Sequence, residues 1–114
     1  MEDFGPHKLI NNNDYKFKIM SYNVRCCNDK LRYDIDGSVK TRAKYVINNI
    51  LLYMPDTIGL QEVTISNNPK QITWFSLLKS GLKEYYEGVG IGRNKGNNGE
   101  ANPIFYNKTK LELI

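Results

Sequence analysis

Two cysteines and one histidine are the only thiol and imidazole groups in 114 residues. Cys26 and Cys27 are adjacent, so they can neither close an ordinary disulfide on each other nor supply a C-x-x-C metal knuckle, and the reading is a reducing compartment. His7, the lone histidine, falls in an asparagine-rich N-terminal stretch and reads as solvated. No apolar run approaches the ~20 residues that span a bilayer, and the opening "MEDFGPHKLINNNDYK" lacks the apolar core of a signal peptide. The expected address is therefore cytoplasmic. Sixteen basic against twelve acidic residues give a formal charge of +4, but the lysines and arginines are scattered, with no polybasic run. That balance is compatible with a polyanionic substrate and does not demonstrate one.

What is present is one small domain's worth of patterned chain, 40% hydrophobic and 25% charged. Residues 1–15 read as a disordered leader and 16–114 as the domain. A first strand is expected over Phe17 to Val24. After a polar loop, Ser38 is placed to cap a helix running to about Met54, whose Val39, Ala43, Val46, Ile47, Ile50, Leu51 and Met54 recur every three or four residues. Pro55 and Asp56 end it, and "TIGLQEV" follows as a mostly apolar strand, giving a β-α-β unit. A second helix is expected from about Pro69 to Leu78 with Asn68 as its cap and Ile72, Phe75, Leu78 and Leu82 as its buried stripe. "EYYEGVGIG" and "NPIFYN" read as strands on either side of the loop "RNKGNNGE", and "LELI" reads as the start of a fifth strand in which the chain stops, as if cut.

In an α/β sheet, ligands bind at the C-terminal ends of the strands, where this reading places Asn23 and Glu62. Strand alternation puts Glu62 on the face of Ile58 and Leu60, where a carboxylate needs a partner. Carboxylate and amide oxygens are hard ligands that suit Mg²⁺ or Mn²⁺ and not zinc. The plainer alternative is that Glu62 pairs with a nearby arginine such as Arg25 and Asn23 caps a loop. Gly88, Gly90 and Gly92 precede no helix, so they make no dinucleotide fingerprint, and "GRNKG" lacks the Lys-Ser or Lys-Thr of a phosphate loop. Trp74 and Phe75 read as core, one in the helix stripe and the other beside it.

The segments "KIMSYNVR", the helix containing Arg42, "PDTIGLQEV" and "YEGVGIGRNKGNNGEANPIFYNK" come in the order found in the endonuclease/exonuclease/phosphatase superfamily, which this chain resembles from about Lys16 to Ile114. The resemblance implies the N-terminal half of a four-layer α/β/β/α sandwich of the α/β class, truncated before its second half. It implies that Asn23 lies in a catalytic site near the metal and scissile phosphate. It implies Glu62 as the ligand of Mg²⁺, with Mn²⁺ as the alternative, and Glu100 as the carboxylate that orients a catalytic histidine. Arg93 is a candidate phosphate contact, against the plainer reading of an exposed loop arginine. The implied partner is a phosphoester: a nucleic acid, a phospholipid headgroup or a small molecule. The family's G-D-x-N, S-D-H and mid-domain histidine motifs are missing from these residues, so hydrolysis by this chain alone is not expected. A non-catalytic remnant or a phosphate- or metal-binding interaction module is the alternative, and a half-sandwich is expected to self-associate through its uncovered sheet.

Overall fold

The computed structural model of the protein describes residues 17–25 and 39–114. The leader 1–15, the adjacent cysteines and the Ser38 cap lie outside the described residues. Strand β1, Ile19–Asn23, leads by way of helix α1, Val39–Tyr53, to strand β2, Thr57–Gln61. Strands β1 and β2 run parallel, with Ile19 opposite Thr57 and Asn23 opposite Gln61. The expected β-α-β unit is therefore present. Strand β6, Ile104–Asn107, lies antiparallel against β2, and strand β4, Tyr86–Val89, against β6, giving the order β1-β2-β6-β4. A second ribbon pairs strand β3, Val63–Ile65, with strand β5, Gly99–Ala101.

Helix α1 forms because its apolar residues repeat at helical spacing, and it buries Ala43, Val46 and Ile50. It stops where Met54 turns to a φ of 46° ahead of Pro55. Helix α2, Trp74–Leu82, starts later than its sequence suggests. Asn68 caps a separate turn instead: its side-chain oxygen accepts from Lys70 N at 3.0 Å and its carbonyl from Gln71 N at 3.0 Å. The helix cap is Thr73, which exchanges bonds with Ser76 in a capping box, Oγ1 accepting from Ser76 N at 3.1 Å and Thr73 N donating to Ser76 Oγ at 2.8 Å. The shift re-phases the stripe. Trp74, Leu78 and Leu82 are fully buried, whereas Ile72 stands exposed before the helix.

Three strand readings also change. "TIGLQEV" divides at Glu62 into β2 and β3, and the end of "RNKGNNGE" joins a strand, β5. "LELI" is not a strand: Lys110 N and Leu111 N fold back onto Asn107 O at 3.1 and 2.9 Å. A hairpin back onto β6, the strand that this segment follows, is closed to it because β6 is already paired on both sides by β2 and β4.

Both helices pack on one face of the large sheet, around Ile58, Leu60, Tyr86 and Phe105. The opposite face carries Phe17, Ile19, Ser21 and Asn23 from β1 and its approach, with Ile104 on β6, and it is open: Ile19 is 72% exposed and Phe17 and Ile104 are each 50% exposed. The fold class is α/β, as expected.

Candidate active site

Strands β1 and β2 end at the same edge of the sheet. The last bond between them runs from Val24 N to Gln61 O at 3.1 Å, and beyond it both chains turn sharply. Arg25 takes a φ of 55° and Glu62 a φ of 60°. Left-handed conformations at non-glycine residues cost of order 1 kcal/mol or more and persist only where surrounding contacts impose them.

Those contacts are visible. Asn23 Oδ1 accepts from Arg25 N at 2.8 Å, which closes the turn after β1, and Asn23 Nδ2 donates to Glu62 Oε2 at 2.7 Å. The Arg25 N–H thereby fixes which end of the amide faces the carboxylate. Continued alternation would have put Glu62 with Ile58 and Leu60. Its left-handed backbone turns it to Asn23 instead, where it is half-buried. Asn23 does cap the loop, as the plainer reading had it, while also meeting Glu62. Its amide oxygen, read from the sequence as a second metal ligand, is engaged by Arg25 N–H. On the open face beside Asn23, Gln61 Nε2 donates to Gly59 O at 3.1 Å and Ser21 Oγ at 3.3 Å.

Helix α1 reaches this edge through Arg42. Its Nη2 donates to Val24 O at 2.5 Å and Arg25 O at 2.6 Å, and its guanidinium lies 5.3 Å from the centroid of the Trp74 ring. Sequence reasoning gave Arg42 no role. The signal was its position, three residues after Val39 and four before Val46, which places a cation at the margin of an apolar stripe.

Glu100 and Arg93 form a second pair. Glu100 sits opposite Thr64 in the β3–β5 ribbon, Arg93 N donates to its carbonyl at 2.9 Å, and the two side chains approach to 3.8 Å. With Ile91, Ala101 and Asn102 they line a hollow of about 160 Å³. The structure thus brings Asn23 to Glu62 and Arg93 to Glu100. Among the described residues Glu100 faces an arginine, and the histidine it was expected to orient is not among them.

Among the described residues no three His, Cys, Asp or Glu side chains converge on a metal site. One carboxylate at a strand end still fits Mg²⁺, which commonly takes one or two protein carboxylates and fills its remaining positions with water and substrate phosphate.

No protein-family model matches the chain, and no curated protein matches it. Solved structures do. An endonuclease/exonuclease/phosphatase from Bacteroides vulgatus is 31% identical with a TM-score of 0.64, over 82% of this chain and 32% of its own. A family protein from Bacteroides thetaiotaomicron gives 26% and 0.64 over the same shares. A mannosyl-6-phosphatase of that organism gives 25% and 0.60, again over 82% and 32%. The chain spans about a third of the length of these relatives.

Proposed function

The chain shares the fold of the endonuclease/exonuclease/phosphatase family, and from that premise we propose that it is the part of a metal-dependent phosphoesterase that holds the carboxylate corner of the site. The observation that carries the proposal is the 2.7 Å bond from Asn23 Nδ2 to Glu62 Oε2 at the common edge of β1 and β2. A carboxylate held at one oxygen by a fixed donor is aimed, and its other oxygen is the one offered to a cation. Mg²⁺ or Mn²⁺ bound there would neutralise charge developing on phosphoryl oxygens. Asn23 positions Glu62 through its NH₂ group.

Glu100 is proposed to orient a histidine supplied by another part of the protein, fixing the ring tautomer as a carboxylate does. The Arg93 guanidinium beside it is the candidate contact for a non-bridging phosphate oxygen. The substrate class is a phosphomonoester or phosphodiester. Similarity to a mannosyl-6-phosphatase supports including sugar phosphates beside nucleic acids and headgroups. Under the same proposal the protein works in the cytoplasm, supported by cysteines that cannot pair with each other. No helix among the described residues is long and apolar enough to cross a membrane.

The test is Mn²⁺ binding, followed by the paramagnetic broadening of nearby NMR signals. Broadening centred on Asn23 and Glu62 and abolished in Glu62→Gln is expected. Broadening centred elsewhere, or unchanged in that variant, overturns the assignment.

A further inference from the structure

We infer that Arg42 is a positioning residue for the Asn23–Glu62 pair, acting through the backbone of the turn that follows β1. The inference rests on the functional reading of that pair. It begins with the two carbonyls that the turn leaves without strand partners. Val24 N is the last donor to reach β2, and the chain then swings away at the left-handed Arg25. The carbonyl of buried Val24 therefore needs a donor from elsewhere, because a buried backbone oxygen is costly to leave unpaired, and the exposed Arg25 carbonyl lies within reach of the same donor. A single NH₂ of Arg42 serves both, one hydrogen to each, at 2.5 and 2.6 Å.

The donor is itself held. Its guanidinium carbon lies over the Trp74 ring at 5.3 Å from the centroid, and Trp74 is fully buried at the start of α2, its backbone N–H donating to Thr64 Oγ1 in β3 at 3.1 Å. Arg42 is thus tied to helix α1 by its own backbone, to α2 through the indole and to the turn after β1 through two carbonyls. What it fixes is the peptide between Val24 and Arg25. That peptide's N–H is the group that engages Asn23 Oδ1 at 2.8 Å, and this bond decides that the NH₂ of Asn23, not its oxygen, faces Glu62. Arg42 touches neither Asn23 nor Glu62 by any of these bonds. It determines the rotamer and the flip of Asn23 one peptide away.

Lysine can replace only part of this. An ammonium supplies hydrogens to the two carbonyls, but it has no planar face to lie on Trp74, so it places the same charge without the same rigidity. Glutamine at the position offers one NH₂ on a shorter side chain and loses both the charge and the reach.

The experiment follows the side-chain NH₂ resonances of Asn23 by ¹⁵N–¹H correlation NMR in wild type, Arg42→Lys, Arg42→Gln and Glu62→Gln, with Mn²⁺ affinity read from the same samples. In wild type the pair of signals is expected shifted and protected from solvent exchange. In Arg42→Gln it moves to the position of a solvated asparagine while the core signals of Ile58 and Phe105 stay, and Mn²⁺ affinity falls roughly tenfold, the low end for partners that orient a metal ligand. Arg42→Lys falls between the two. A merely structural arginine would lower the melting temperature and leave the Asn23 signals where they are, and that result overturns the inference. Should Arg42→Gln fail to fold, Arg42→Lys decides alone: unchanged Asn23 signals overturn the inference, displaced ones support it. The functional reading fails separately, if Mn²⁺ broadening survives Glu62→Gln while the Asn23 signals still respond to Arg42.

Discussion

Asp56 and Tyr86 show at residue scale how the end of the sheet away from the candidate site is anchored. Asp56 is buried, yet Lys18 N donates to Oδ2 at 2.7 Å and Lys110 Nζ to Oδ1 at 3.0 Å. Burial alone would raise its carboxyl pKa, but the Lys18 N–H bond, the Lys110 bond and the charges of both lysines outweigh it and hold it below the ordinary value. A depressed folded pKa means the contribution is complete above the ordinary carboxylate range and is lost as pH falls through the depressed value. Asp56→Asn is therefore expected to lower stability at neutral pH by about 1–3 kcal/mol and to flatten its loss in acid, both read from urea melts across pH. Tyr86 answers at the alkaline end. Its hydroxyl donates to Pro55 O at 2.5 Å, and burial, then the charge of Asp56, pushes the phenol up to about 12. Its contribution is whole below pH ~10, the unfolded value, and is lost as pH rises through the folded value. Wild type should lose about 2–3 kcal/mol over that window, a loss that Tyr86→Phe removes. At the other end of the strand, and in a protein completed to the length of its relatives, Glu62→Ala is expected to lower kcat for a phosphoester at least ~100-fold, as removal of a transition-state electrostatic group does. Full activity in that variant would refute the site.

The loop that carries Arg93 and Glu100 is held by close approach. Gly92 packs its Cα against the backbone of Asn98, where an added Cβ would lie 2.3 Å from the Asn98 carbonyl oxygen, and Gly92 N donates to Asn97 Oδ1 at 2.6 Å. Backbone cannot step aside as a side-chain tip can, so Gly92→Ala should force the loop open and cost about 1–3 kcal/mol as overpacking does. Hydrogen exchange should show the opening confined to residues 91–101, sparing β1, β2 and α1. Exchange unchanged there would mean the loop adapts without loss. At the start of α2, removal of the capping-box hydroxyl by Thr73→Ala should cost ~1 kcal/mol in thermal melts, with Trp74 fluorescence reporting the loosened end.

The open face of the large sheet is the feature of the whole molecule that bears on its state. Phe17, Ile19 and Ile104 stand on it among Ser21, Gly59 and Gln61, and exposed apolar groups on a flat sheet associate. The purified 114-residue protein is expected to sediment as concentration-dependent oligomers. Ile19→Lys with Ile104→Lys should shift it toward monomer, and association unaffected by the pair would place the contact on another surface. With one histidine in the sequence, the same chain is expected to give no Mg²⁺-dependent hydrolysis of plasmid DNA or an aryl phosphodiester, since under the proposal it offers the metal corner of the site and no histidine in a matching motif.

The α/β class, the β-α-β unit, the helix of Val39, Ala43, Val46 and Ile50, and the candidacy of Asn23 and Glu62 were all legible in the sequence, because period and strand-end position are local properties of the chain. The start of α2 was not, because Asn68 and Thr73 both have capping side chains, and the choice fell to the one that lets Trp74 enter the core. The "LELI" strand was misread for a related reason: alternation records what a segment could do, whereas the hairpin it would make with β6 needs an edge that β2 and β4 already occupy. Glu62 turned away from the face its parity assigned, since one left-handed residue breaks the alternation on which parity rests. Arg42 was invisible as a clamp because its partners are backbone carbonyls, which every residue carries and no sequence distinguishes. The sequence by itself determined which side chains are candidates for chemistry and roughly which elements carry them. Only the tertiary structure decided which way each side chain points and what holds it there, because those depend on contacts between residues far apart in the chain.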